Sequence, residues 1–166
     1  MSLFALRLGP ALALTVLALA GRAAAQANPE PATESPVQAA CGFKLSAAAF
    51  HEWTLLGGEE GRLGCPTADE TDIPPSSHGK MSREIVFADH GAIFTYLGGP
   101  MAGKAVAISD CFRLFYQYGG ASGWLGLPLG DALNTPDGQK QAYEGGEMRF
   151  GRALDSCEAT RTGDEP

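Results

Sequence analysis

The chain has 166 residues, 19 acidic against 12 basic side chains, a formal net charge of −7 and 45% apolar residues. That acidic balance excludes a nucleic-acid surface or an anionic lipid headgroup as the chain's main partner, since either needs an extended basic patch. It leaves neutral glycans, cationic partners and protein surfaces, and the length suits one compact domain, not two large ones.

Residues 1–25 read as an export signal. Arg7 precedes an apolar run from Ala11 to Ala20, and Ala23, Ala24 and Ala25 supply the small residues a signal peptidase requires. The run is too short and too alanine-rich for a lasting membrane span, and no second one follows, so no stable membrane insertion is expected. A lipid anchor would need a cysteine directly after the apolar run, whereas the first is Cys41. Residues 26–40 are rich in Pro, Ala, Glu and Ser and lack aromatics, the composition of a flexible linker, and residues 158–166 read as a flexible tail of the same kind. The expected folded domain is 41–157. Its four cysteines, Cys41, Cys65, Cys111 and Cys157, predict two disulfide bonds in an exported protein, with all three connectivities open. They lack the paired spacing of a zinc or redox motif, so no metal and no cofactor is expected.

Within that domain the sequence repeats. Phe50 to Pro66 (FHEWTLLGGEEGRLGCP) aligns without a gap with Phe112 to Pro128 (FRLFYQYGGASGWLGLP) at an offset of 62 residues, matching Gly57-Gly58 to Gly119-Gly120, Gly61 to Gly123, Leu63-Gly64 to Leu125-Gly126 and Pro66 to Pro128. With one residue of slippage, Ile85–Phe94 also resembles Gln141–Phe150. Ser46 is placed to cap a helix carrying Ala49, Phe50, Trp53 and Leu56 on one face and ended by Gly57-Gly58. A second helix is expected from Ser109 or Asp110 to Gly119-Gly120, with Phe112, Phe115 and Tyr116 inward. In each copy a Gly-x-Leu-Gly-x-Pro turn follows, with Leu63 or Leu125 as its plug. Alternation predicts strands at Ile85–Phe87 and Ala92–Tyr96 around Asp89, His90 and Gly91, a third at Lys104–Ala107, and an equivalent hairpin at Gln141–Tyr143 and Glu147–Phe150. The expected fold class is α+β: two helix-turn-β-hairpin units, about 46–107 and 108–157, packed as one small disulfide-stabilised domain.

The segments Trp53–Gly58, Leu63–Pro66 with Glu70, Gly123–Pro128, Phe87–Phe94 and Tyr143–Met148 resemble the LGFP repeat family. Cys65 and Leu127 stand where that family's name places Phe. The resemblance implies a cell-wall-associated, non-catalytic module that binds cell-envelope glycan or an envelope protein.

Few residues invite a chemical role. Gly120-Ala121-Ser122-Gly123 misses the nucleophile-elbow pattern by one residue, so Ser122 reads as turn filler. His51, His78 and His90 are scattered, and Asp69, Glu70 and Asp72 cluster without the spacing of a calcium loop, so they read as solvated loop carboxylates. Sugars are gripped by flat aromatic faces and polar hydrogen bonds. Trp124, whose counterpart is the polar Arg62, is therefore expected to be exposed and to bind, with Tyr96, Tyr118 and Tyr143 as further ring candidates and Asp89, His90 and Glu144 as polar ones. Three functions fit this inventory: an exported module binding wall polysaccharide, a secreted protein-binding factor or hydrolase inhibitor, and a wall-acting enzyme, for which no motif speaks.

Overall fold

A computed structural model describes residues 37–88, 91–151 and 156–163. The expected signal peptide, most of the expected linker, and Asp89 and His90 lie outside the described residues.

The α+β expectation is overturned, because the described residues are mostly strand. They form three antiparallel sheets, one of two strands and two of four, around a single α-helix. The first sheet pairs β1 (Gln38–Ala40) with β2 (Phe43–Leu45) across Cys41 and Gly42, both at positive φ as a tight two-residue hairpin turn requires. β1 falls inside the segment read as linker, and its Ala40 is buried. The helix α1 (Ala47–Leu55) begins at Ser46, whose side chain accepts from the Ala49 N–H, and its alanine-rich first turn favours the α form.

The second four-stranded meander and the first have the same plan. β3 (Thr71–Ile73), β4 (Ser82–Val86), β5 (Gly91–Tyr96) and β6 (Ala105–Ser109) follow α1 in consecutive order. β7 (Leu133–Thr135), β8 (Gly138–Tyr143), β9 (Gly146–Gly151) and β10 (Ser156–Arg161) follow the second helical segment likewise. Each expected hairpin is thus the centre of a four-stranded sheet. The outer strands β3 and β7 have three residues each and are mostly exposed, so they carry no apolar alternation to announce them. β10 occupies residues assigned by composition to the domain's last residues and the tail.

The second helical segment, Asp110–Tyr118, is a 3-10 helix and not the expected α-helix. Four of its nine residues are aromatic, weak helix formers, no side chain caps its first turn, and Cys111 within it is held by a disulfide to β10. Phe112 and Phe115 are buried as expected, but Tyr116 is 43% exposed.

The glycine turns of the two units share one backbone. φ is 100° at Gly57 and 93° at Gly119, 61° at Gly58 and 60° at Gly120, and 68° at Gly64 and 67° at Gly126. Hydrogen bonds match as well: Gly61 N–H to Gly58 O at 3.1 Å and Gly123 N–H to Gly120 O at 3.0 Å. A Cβ on Gly61 or Gly123 would run into the carbonyl oxygen of Leu56 or Tyr118, which is why the chain needs glycine there. Leu63 and Leu125 are fully buried beneath these turns.

The layers stack as α1, first four-stranded sheet, 3-10 helix, second four-stranded sheet. One face of the first sheet, with Ile85, Ile93 and Ala107, packs on Ala49, Trp53 and Leu63. Its other face, with Ala92, Phe94, Val106 and Ile108, packs on Phe112 and Phe115 of the 3-10 helix. Phe115 meets Phe94 edge-on at 5.6 Å and stacks on Tyr143 of the second sheet at 5.4 Å, joining the two units in one core. Cys41–Cys65 ties the β1–β2 turn to the first Leu-Gly-x-Pro turn, and Cys111–Cys157 ties the 3-10 helix to β10, so each unit holds its own disulfide.

Candidate functional site

The binding residues expected from sequence divide by burial. Tyr96 and Tyr143 are 2% exposed. The Tyr96 hydroxyl donates to Pro128 O and the Tyr143 hydroxyl donates to Gln141 Oε1 at 3.0 Å, so both serve the core. Burial pushes both phenols well above their ordinary range, with the Glu144 carboxylate adding to the effect on Tyr96.

Trp124, Tyr118 and Glu144 lie at the junction between the second glycine turn and the β8–β9 turn. Trp124 is half-buried, not exposed. Tyr118 meets its edge at 5.9 Å, and the Arg161 guanidinium lies 5.0 Å from its ring centre in a cation–π contact. Glycine at 146 lets β9 approach β10, because a Cβ there would sit 2.1 Å from Thr160 O, with Trp124 Cζ3 also at 3.1 Å. Glu144 Oε2 accepts the Leu127 N–H at 2.8 Å, pinning the Leu-Gly-x-Pro turn, and its Oε1 is buried with no partner among the described residues.

His78 reaches the same junction from a loop, residues 74–81, that joins β3 to β4. The matching connection in the second unit is only Pro136 and Asp137, so the first unit carries six extra residues. Ser77 fastens this loop to the second unit, donating from its N–H to Ala121 O at 3.0 Å and from its hydroxyl to Gly123 O at 2.6 Å. His78 thereby lies beside the spaces where Cβ atoms on Gly126 and Gly145 would sit. Sequence comparison had the signal for this in the unequal offsets of the two halves.

Beside the junction, the outward face of β8, β9 and β10 forms an open groove of about 470 Å³ lined by Lys140, Glu147, Arg149, Thr160, Arg161 and Thr162 among others. Glu147 accepts from Arg149 Nε at 2.5 Å and lies 3.3 Å from Lys140 Nζ. Partial burial alone would raise the Glu147 pKa, but the hydrogen bonds and charges of Arg149 and Lys140 outweigh it and hold the carboxyl below its usual range. None of these side chains stood out in the sequence, because only the pairing of three strands puts Lys140, Glu147, Arg149 and Thr160 on one face, with Arg161 at its edge turned to Trp124.

The acidic cluster after the first Leu-Gly-x-Pro turn is structural. Asp69 accepts the Lys44 N–H at 2.8 Å, Glu70 accepts the Ser46 N–H at 2.5 Å and the Ser46 hydroxyl at 3.1 Å, and Asp72 pairs with Arg83 at 2.7 Å. Asp69 and Glu70 thus seat β2 and the start of α1, which corrects the reading of Glu70 as a solvated loop group, while Asp69 and Asp72 stay exposed and Asp72 forms a surface pair across β3 and β4. Ser122 is exposed in a 3-10 turn, while His51 and His78 lie on separate elements. Among the described residues, one set of three potential metal-binding groups comes together, Cys41, Glu59 and Cys65, and both sulfurs there are consumed by a disulfide. No described helix is long and apolar enough to cross a membrane.

No protein-family model and no curated protein matches this chain.

Proposed function

We propose that this protein is an exported module that binds cell-envelope polysaccharide and holds it without transforming it. The observation that carries this reading is the open groove on the second sheet, lined by threonine hydroxyls and charged side chains, at whose edge Arg161 covers the half-buried Trp124. Rings with polar neighbours suit sugars, whose C–H faces pack on aromatics and whose hydroxyls take up hydrogen bonds. Two disulfides fit an oxidising compartment, and the resemblance to LGFP repeats supports a wall-associated role.

The test is retention on isolated envelope polysaccharides. The full protein is expected to be retained, and Trp124→Ala, which also unseats Arg161, is expected to weaken retention about tenfold with the fold intact by near-ultraviolet circular dichroism. Flow-through on every polysaccharide, with no effect of the substitution, removes the reading.

A further inference from the structure

Sugar recognition calls for an aromatic ring open to solvent, and among the described residues Tyr116 alone is an exposed aromatic; the other described rings are half-buried or buried. The winding of its helix puts it there. In an α-helix, Phe112, Phe115 and Tyr116 share one face, as the sequence pattern implied. At three residues per turn, Phe112 and Phe115 stack on one side and Tyr116 is rotated a third of a turn away from them. Its ring therefore emerges at the seam between the first sheet and the second unit's 3-10 helix, 43% exposed, while Phe112 and Phe115 enter the core.

The ring is held in place there. Its hydroxyl donates to Glu84 of β4, and Phe115 meets it edge-on at 5.4 Å. Two open clefts have Tyr116 as their one shared wall. The first, of about 320 Å³, is lined by Val86, Arg113, Leu114 and Gln117 among others, and the second, of about 170 Å³, by Ile73, Glu84, Gly119 and Ser122 among others. Val86 and Glu84 stand two residues apart on one face of β4, so the clefts follow one another along the strand with Tyr116 as the rib between them. The charged side chains lining them, Glu84 and Arg113, are opposite in sign, and Gln117 and Ser122 add neutral hydrogen-bonding groups. None of these residues lines the groove on the second sheet.

We infer that this seam is a second contact for polysaccharide, in which the Tyr116 ring packs against a neutral sugar and Arg113, Gln117 and Ser122 hydrogen-bond its neighbours in the two clefts. This rests on the polysaccharide reading above and adds a site and a ligand class to it. A ring already fixed by Glu84 and Phe115 loses little freedom when a ligand packs on it. The ligand is neutral because the two lining charges cancel, and the Glu84 carboxylate beside the ring, on a chain of net charge −7, repels an acidic polymer. The larger cleft lies at the lower end of small-ligand sites, about 300 Å³ upward, so a single contact is weak and gains when one polymer also reaches the second-sheet groove. Tyr116 belongs to one unit and Glu84 to the other, so the site exists only where two units adjoin.

The experiment titrates the full protein calorimetrically with three neutral polymers, dextran, laminarin and mannan, and with polygalacturonate as the acidic one. Wild type is compared with Tyr116→Ala, with Tyr116→Phe, which keeps the ring and loses the bond to Glu84, and with Leu55→Ala, an exposed apolar control on α1. Expected is binding to at least one neutral polymer in preference to polygalacturonate, weakened about tenfold by Tyr116→Ala, about threefold by Tyr116→Phe and unchanged by Leu55→Ala. Failure of all three neutral polymers to bind overturns the inference, as does tighter binding of polygalacturonate or indifference to Tyr116→Ala. So does concentration-dependent dimerisation that Tyr116→Ala abolishes, since the occupant is then a second copy. Should Tyr116→Ala not fold, as its urea melt will show, Arg113→Ala/Gln117→Ala on the exposed rim takes its place with the same expectation. If envelope polysaccharide retains wild type and Tyr116→Ala alike, this seam is the wrong site and the broader reading stands. If a neutral polymer binds through Tyr116 but no envelope polysaccharide is retained, the broader reading falls and this one holds.

Discussion

The two four-stranded sheets share a register and differ in what covers them. β5 at the centre of the first is buried along its whole length, because α1 packs on one side and the 3-10 helix on the other. β9 in the second keeps only Met148 fully buried, since no described helix packs on its outer side. The backbone plan is therefore indifferent to whether a face is a core or a surface; the side chains decide. Where a following unit docks, the outward positions read Ala92, Phe94, Val106 and Ile108. Where none docks, they read Glu147, Arg149, Glu158 and Thr160. A repeat of this size buries too little alone, so it borrows apolar cover from its neighbour, and a sheet face without such cover is polar outside.

The sharpest test of that contrast substitutes equivalent positions. Phe94→Ala is expected to cost about 4 kcal/mol in chemical denaturation, because it empties a site 0% exposed between two layers. Arg149→Ala, at the same register position, is expected to cost less than about 0.5 kcal/mol, as its ion pair is solvent-screened. Comparable losses at both sites break the comparison.

Disulfide removal comes next and should order the units the other way. Replacing Cys111 and Cys157 by alanine opens a closure of sequence separation 46 and is expected to cost about 4 kcal/mol, against about 3.5 kcal/mol for Cys41 and Cys65 at separation 24, from loop-closure entropy. Where the two units are alike, so should be the response. Gly61→Ala and Gly123→Ala each drive a methyl group into a carbonyl oxygen, and both are expected to lose about 3 kcal/mol within error of one another. A large difference would show that the shared turn is not equally constrained.

The smallest effect is a pH dependence. Glu52, buried on α1, has its pKa raised by desolvation and by Asp131 of the second unit, partly offset by His51 and Arg62. A raised folded pKa means that its stabilising contribution is complete below the unfolded value of 4.5 and is lost as pH rises through the folded value. Glu52→Gln should therefore gain stability over wild type at pH 7 and not at pH 4, in urea melts at the two pH values. The reverse order would mean that burial does not disfavour the charged form of Glu52.

Much of the repeat was readable in the residues. Gly57, Gly58, Gly64 and their partners mark positions of positive φ, and Ser46, Leu63 and Leu125 do what their types and spacings imply. The strands β1, β3 and β7 were not legible, since three residues are too few to show alternation, nor was β10, six residues of which none is fully buried; all become strands only by pairing. Nor was the 3-10 helix, where a tertiary disulfide and weak local propensity act on the helix expected from Ser109 or Asp110. The binding surface was half legible: an aromatic in a turn draws the eye to Trp124, but ring exposure depends on Arg161, which lies 37 residues further along the chain and reaches the indole only through β10.

Local sequence thus determined the turns, the helix start and the doubling of the unit, because glycine φ, capping and periodicity act over a few residues. Tertiary structure alone decided which sheet face is core and which is groove, which cysteines pair, and which charges meet, because those outcomes depend on strand register and on whether another layer arrives to exclude water.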